Sequence, residues 1–156
     1  MTSEEFQIFY QWSVDHQANE LMEACQISRE VALEEAKAEV AQMLPHGLHT
    51  DHHYFMTIED NHKEPAGFIW TLHEFTEGKK QSFLCDFMIV ESKRRQGYAT
   101  TALTLMEKNA AEAGCRECVL FVADRNHAAR ALYKKCGYQF LRQINNGCYM
   151  IKQLSK

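Results

Sequence analysis

The sequence predicts an α+β domain with a mixed, mostly antiparallel sheet, and three observations carry that prediction. Three strand-patterned segments follow one another through short polar turns between His53 and Val90, and consecutive strands joined so tightly run antiparallel. A strand, a helix and a second strand then succeed one another from Ser82 to Val122, which implies a right-handed parallel crossover. The chain closes on two strands joined at Asn145-Asn146-Gly147, Asn-Gly being a strong two-residue hairpin signal. One parallel pair is therefore expected in the middle of the sheet. Where its strands diverge, a cleft opens at their carboxyl ends, the place where ligands bind in such sheets.

Each element has its own local warrant. Thr2 followed by Glu5 reads as a capping box, two orphan donors satisfied reciprocally at a helix start. Phe6, Phe9, Tyr10, Ser13, Gln17, Leu21 and Cys25 then mark one face of a helix running to about Gln26. Ser28 caps a second helix that carries Leu33, Ala36, Val40 and Leu44 until Pro45 and Gly47 stop it. The loop from Pro45 to His53 holds four histidines. It lacks a cysteine and a helical His-x-x-x-His spacing, so it reads as a surface or acceptor-side loop rather than a zinc site. Strands are expected over His53–Glu59, Gly67–Phe75 and Ser82–Val90. The third is apolar on both faces apart from Asp86, the pattern of a central strand covered on both sides. Ala99, Ala102, Leu103, Met106, Ala110 and Ala113 give an amphipathic helix stopped by Gly114. Glu117–Val122 is the next strand, His127–Cys136 a short helix stopped by Gly137, and Tyr138–Gln143 with Cys148–Leu154 the closing hairpin.

Length and composition bound the function. The 156 residues fit one domain, 1–156, without repeats or linkers. No apolar run reaches membrane-spanning length, and the acidic Met1–Glu5 start is neither a signal nor a transit peptide. Six cysteines without a secretion signal suggest reduced thiols and a cytoplasmic location. A net charge of −4 with no basic stripe argues against nucleic acid. Cys115 and Cys118 have Cys-x-x-Cys spacing, but one pair is half a zinc site. They are expected to be ordinary buried thiols, so no metal is expected.

Two stretches carry chemistry. Arg94-Arg95-Gln96-Gly97-Tyr98-Ala99-Thr100 lies where the third strand ends in a tight turn and opens a helix. Such a turn leaves backbone N–H groups pointing one way, with the helix dipole adding partial positive charge, so it can seat a phosphate. Gly97 admits left-handed dihedrals and close approach of a ligand to the backbone. The same stretch also reads as an ordinary strand-to-helix turn with solvated arginines. The second stretch is Asn126 to Tyr138, in which Asn126 is a good N-cap and Tyr133 lies seven residues on. Seven residues are close to two full turns, so both side chains project from one helix face. A core aromatic whose hydroxyl finds a partner is the plainer reading of Tyr133.

Taken together, the two stretches resemble the two cofactor motifs of the GNAT superfamily, the acetyl-CoA-dependent N-acetyltransferases. Arg94, Gly97 and Ala99 match the pyrophosphate loop [RQ]-x-x-G-x-[GA], and Asn126, Ala129, Leu132, Tyr133, Gly137 and Tyr138 match N-x-x-A-x-x-L-Y-x-x-x-G-[FY]. The resemblance extends from about His53 to the end. The Leu44–Leu48 loop and Tyr54 onward are similar to an uncharacterised bacterial branch of the superfamily. It implies helices on both faces of the sheet and two acceptor-side helices in front. Few residues precede the first helix, so either the edge strand that usually opens the fold is missing here or the sheet edge is covered some other way. Arg95 stands where the family often has Gly.

The resemblance also implies a chemistry. The pyrophosphate of acetyl-CoA would sit on Arg94, Arg95, Gln96, Gly97, Tyr98, Ala99 and Thr100. Its pantetheine arm would pair, strand-like, with the backbone of Phe87, Met88 and Ile89, and Asn126 would hold the arm and cap its helix. The amine acceptor would attack directly, without a covalent enzyme intermediate. Tyr133 matches the residue that protonates the departing thiolate; with reference pKa values of ~8.5 for a thiol and ~10 for tyrosine, a hydrogen bond to developing charge would be its main help. Many members carry Glu where this chain has Phe121. That leaves Asp86 as the candidate base or a structural carboxylate, with a water chain to His73 a further route. The implied protein is a monomer or homodimer acting on acetyl-CoA and an amine, away from membranes and nucleic acid. A non-catalytic acyl-CoA-binding module of the same fold, a sensor or structural part, is the alternative.

Overall fold

A computed structural model describes residues 1–155. The chain forms two compact units, Met1–Phe55 and Met56–Lys156.

The first unit is a helical pair, α1 (Ser3–Cys25) and α2 (Arg29–Met43). The predicted capping box is present at α1, with the Glu5 N–H donating to Thr2 Oγ1 at 3.2 Å and the Thr2 N–H to Glu5 Oε2 at 2.6 Å. Gln26, left-handed at φ 55, ends the helix, and Ser28 caps α2 by accepting from the Val31 N–H. The buried stripe of α1 is Phe6, Phe9, Ser13, Val14 and Ala18, so it leaves the predicted line before Leu21 and Cys25. Small residues explain the turn: Ala18 on α1 and Ala32 and Ala36 on α2 are fully buried, and side chains of that size let helix backbones approach closely. Gln17 and Glu39 bond at 2.6 Å and Arg29 reaches Asp15 at 3.5 Å. The rings of Phe6 and Phe9 meet Phe55 with centroids 5.0 and 5.4 Å apart.

The sheet has six strands in the order β1-β2-β3-β4-β6-β5. They are β1 (His53–Glu59), β2 (Pro65–Thr76), β3 (Lys79–Ile89), β4 (Glu117–Ala123), β5 (Gln139–Ile144) and β6 (Gly147–Gln153). The β2–β3 hairpin turns on two left-handed residues, Glu77 and Gly78. So tight a turn carries the ladder further than predicted, from Thr76↔Lys79 to Gly67↔Ile89. Gly67 is required there, because a Cβ would lie 2.0 Å from the Met88 carbonyl oxygen. β3 and β4 pair in parallel, as the crossover through α3 (Tyr98–Glu112) demands. No strand precedes α1 among the described residues. No described helix is long and apolar enough to cross a membrane.

Alternation along the strands separates two faces. Ile69, Leu84, Cys118, Leu120, Val122, Cys148 and Met150 point into one core with Leu103, Met106 and Ala110 of α3 and with Tyr133 of α4 (His127–Lys135). Each neighbour of these strand residues points the other way. Phe83, Asp86, Phe121 and Tyr149 thus lie together on the opposite face.

Candidate functional site

The site begins where the sheet parts. Parallel pairing of β3 with β4 runs only from Gln81↔Glu117 to Leu84↔Leu120. At that point β3 carries a bulge: Trp70 faces Asp86 while Thr71 faces Leu84, leaving Cys85 as the extra residue. A bulge bends its strand and sharpens the twist, so β3 swings away from β4 and stays with β2. Val90 donates to Ala66 across the β2–β3 ladder at 2.9 Å. Main-chain groups alternate in direction along an antiparallel strand. Met88 therefore turns its N–H and C=O to β2, whereas Phe87 and Ile89 turn theirs to the opening. Side chains hold those groups: Asp86 Oδ1 accepts from the Phe87 N–H at 3.1 Å, and Arg94 Nε donates to the Ile89 carbonyl at 3.0 Å.

The glycine loop sits directly beyond β3. Arg95 and Gly97 both have left-handed backbones, at φ 62 and 88. Gly97 is the N-cap of α3 and makes no side-chain cap bond, so the first-turn N–H groups of α3 lack the partner that Ser, Thr, Asp or Asn would supply. Alternating left-handed residues ahead of a helix start form a concave N–H nest suited to an anion. Arg95, where the family often has Gly, is a non-glycine residue held in the left-handed region at a steric cost. The cations beside the loop are also partly committed. Lys93 Nζ lies 2.5 Å from Asp60 Oδ2, and Asp60 further accepts from the N–H groups of His62 and Glu64 at 2.8 and 3.0 Å. The Lys93 bond, followed by the Glu64 N–H, holds the Asp60 carboxyl down at about 2. Lys93 thus pins the loop, and Arg94 spans back to β3. Arg95, Gln96 and Gly97 are exposed.

The wall across the opening comes from α4. Asn126 caps it by accepting from the Ala129 N–H at 3.1 Å, and an ion pair of Arg130 with Asp124 at 2.9 Å fixes its first turn. Tyr133, one helix face along, is 8% exposed, with its ring edge-on to Tyr138 at 5.8 Å. Burial pushes the Tyr133 hydroxyl well above its ordinary range, and the nearby Asp86 charge pushes it further. The hydroxyl therefore stays protonated and serves as a donor. Burial and Asp86 likewise drive the Cys85 thiol up, which leaves it without the thiolate a nucleophile needs.

The structure brings together most of the residues singled out by sequence. Asp86, Phe87 and Ile89 lie at the opening, Arg94 through Thr100 form the nest, and Tyr133 is electrically coupled to Asp86. Met88, by contrast, turns its backbone groups to β2 rather than to the opening. His73 pairs with Ser82, on the opposite sheet face from Asp86. Cys115 and Cys118 are free, buried thiols, the latter pushed up by burial to about 12. No cluster of metal-ligating side chains occurs among the described residues. The bulge at Cys85 had no signal in the sequence pattern, because an apolar strand reads alike with or without one extra residue. A separate hollow of about 580 Å³ lies among Phe75, Lys79, Lys80 and Arg116. It is at the start of β3 and β4, where pairing closes the sheet and frees no backbone groups.

Comparison with known proteins agrees with this geometry. The model of the acetyltransferase (GNAT) family matches residues 9–138. The N-acetyltransferase YycN of Bacillus subtilis (strain 168), itself uncharacterised, is 32% identical over 139 residues, 89% of each chain. YdgE of the same organism, also an uncharacterised N-acetyltransferase, is 30% identical over 88% of each chain. The crystal structure of YycN superposes with a TM-score of 0.85, covering 93% of this chain and 92% of that one. The spermidine N-acetyltransferase of Vibrio cholerae in complex with CoA and spermine shares the fold at a TM-score of 0.67 and 15% identity, over 98% and 92% of the two chains.

Proposed function

The chain belongs to the acetyltransferase (GNAT) family, and from that premise we propose that it moves an acetyl group from acetyl-CoA to a primary amine by direct attack in a ternary complex. The observation that carries this reading is the parted β3–β4 edge, closed off by an uncapped nest at one end and by a buried, protonated tyrosine across from it.

The residues fit the co-substrate. The Arg95–Thr100 nest offers backbone donors and dipole charge to a pyrophosphate, with the exposed Arg95 side chain beside it; Gln96 holds the turn by donating to the Ser92 carbonyl at 3.0 Å. The open backbone groups of Phe87 and Ile89 offer strand-type pairing to the amides of a pantetheine arm, once Asp86 and Arg94 release them. Bound there, the thioester supplies the activated acetyl group. Phe87 N–H, presently held by Asp86, is placed to polarise the acetyl oxygen, an oxyanion-type contact. Asp86 then faces the amine, draws in the ammonium and takes its proton. The neutral nitrogen forms a C–N bond to the acetyl carbon, and the C–S bond breaks. The ammonium proton and one amine proton leave nitrogen, one is taken up by the departing thiolate, and the other is released to solvent. Tyr133, kept protonated by burial, donates a hydrogen bond to the sulfur as negative charge develops. The protonated Cys85 thiol supports direct attack over an acyl-enzyme route.

Release of free thiol on mixing the protein with acetyl-CoA and a panel of primary amines tests the proposal. Saturable, amine-dependent release is expected. Tight binding of acetyl-CoA with no release for any amine would overturn it and leave a binding module.

A further inference from the structure

We infer that Arg94 latches the pantetheine edge and that the pyrophosphate end of the co-substrate opens the latch, so the two ends of acetyl-CoA bind with positive cooperativity. This inference rests on the co-substrate reading above and concerns how that one site fills. Three side chains of the loop bond inward, and they differ in how firmly they are held. Lys93 faces the Asp60 carboxylate at 2.5 Å, an acidic side chain only 2% exposed. Gln96 donates to the Ser92 carbonyl at 3.0 Å, within the loop itself. Arg94 reaches back to the sheet instead, donating from Nε to the Ile89 carbonyl at 3.0 Å. The residue is exposed, and its terminal N–H groups make no hydrogen bond or ion pair among the described residues.

A guanidinium bonded to a neutral carbonyl exchanges that partner for an anion, because hydrogen bonds charged on both sides are stronger and phosphate accepts them bidentately. The nest that seats the anion begins at the next residue, Arg95, with its left-handed backbone at φ 62. An anion there lies beside the root of the Arg94 side chain, while Lys93 stays with its buried carboxylate. Ile89 is the other half of the exchange. Its main-chain groups face the opening, and its carbonyl is an acceptor that a strand-like arm needs. While Arg94 holds that carbonyl, the arm only replaces one hydrogen bond with another. Once a pyrophosphate has drawn the guanidinium away, the carbonyl is unpaired and the arm satisfies it, at no loss to the protein. Linkage makes the effect mutual: the arm raises the affinity for pyrophosphate by the same factor as pyrophosphate raises that for the arm.

Titrations with two fragments test the inference, pantetheine for the arm and ADP for the pyrophosphate, each followed through the backbone amide resonances of Phe87, Ile89 and Gly97. In the parent, saturating ADP should lower the Kd for pantetheine at least threefold. Arg94→Ala should bind pantetheine alone at least threefold more tightly than the parent and ADP at least threefold more weakly, and ADP should no longer assist pantetheine. Opposite signs for the two fragments mark a latch, since removing a merely structural arginine would weaken both. Arg94→Gln keeps a donor, Nε2, at the place of the arginine Nε but without the charge. It should bind pantetheine as the parent does and show no gain with ADP. Pantetheine affinity unchanged by ADP in the parent, or equal in the parent and Arg94→Ala, would overturn this inference while leaving the co-substrate reading intact. Failure of the parent to bind either fragment would instead overturn that reading and this inference with it.

Discussion

Gly97→Val separates the two roles assigned to the loop glycine, and Gly114 provides an internal control. Both glycines have φ 88, and a Cβ built on either meets nothing within 4 Å. A side chain therefore costs backbone strain at each position without a packing clash. For a non-glycine residue that strain is about 1–2 kcal/mol, with a β-branched residue at the upper end. In a protein of this size a loss of that order lowers Tm by roughly 2–8 °C. The two variants should thus lose similar stability in thermal unfolding. Only Gly97 caps α3 within the proposed pyrophosphate nest; Gly114 follows the other end of that helix. Gly97→Val should accordingly weaken acetyl-CoA at least tenfold, about 1.4 kcal/mol, as measured by titration calorimetry on folded protein. Gly114→Val should bind as the parent does. Equal acetyl-CoA affinity in the two variants would refute the assignment of the nest, whatever their Tm values.

Three other outcomes are expected. Tyr133→Phe should leave acetyl-CoA affinity unchanged and lower kcat by about 10²-fold, as for loss of a general acid or its hydrogen bond; because burial holds this hydroxyl protonated well beyond its ordinary range, the parent pH–rate profile should show no loss of activity between pH 9 and about 10. A fall in stability with unchanged turnover would make Tyr133 a core residue only. Asp86→Asn should lower kcat/KM most at low pH, where the amine is hardest to deprotonate, and least near the amine's own pKa; a profile parallel to the parent's would make Asp86 structural. Asp60 is ordinarily near 3.8 and is held at about 2 in the fold, so its contribution to stability is complete above pH 3.8 and is lost as pH falls toward 2. Asp60→Asn should flatten that part of the acid-unfolding curve, followed by circular dichroism, and an unaltered slope would show that the Lys93–Asp60 tie does not support the loop.

Much of this protein was legible locally, because the deciding interactions are local. Thr2 with Glu5, Ser28 and Asn126 each cap the helix that the sequence assigned to them, since a cap needs only three or four consecutive residues. Strand alternation and turn residues gave the meander and the crossover, with ends off by a few residues where two-residue turns let the ladders run longer. The two motifs marked the strand-to-helix loop and the tyrosine helix for the same reason: each is a short piece of chain whose backbone shape depends on its own residues. The packing of the front helices, by contrast, was decided by which small side chains met, and the stripe shifted to Val14 and Ala18. The opening itself came from tertiary structure alone. A bulge at Cys85 is a matter of register between β2 and β3, and register is a relation between strands that neither strand's sequence contains. That extra residue sets where β3 leaves β4, which main-chain groups face the gap, and why Asp86 shares a face with Phe83, Phe121 and Tyr149 while His73 does not. Tyr133 was equally ambiguous as a bare letter. Its burial next to a carboxylate, which keeps its proton in place, is a property of the assembled core, because desolvation depends on every neighbour around the hydroxyl and not on the helix that carries it.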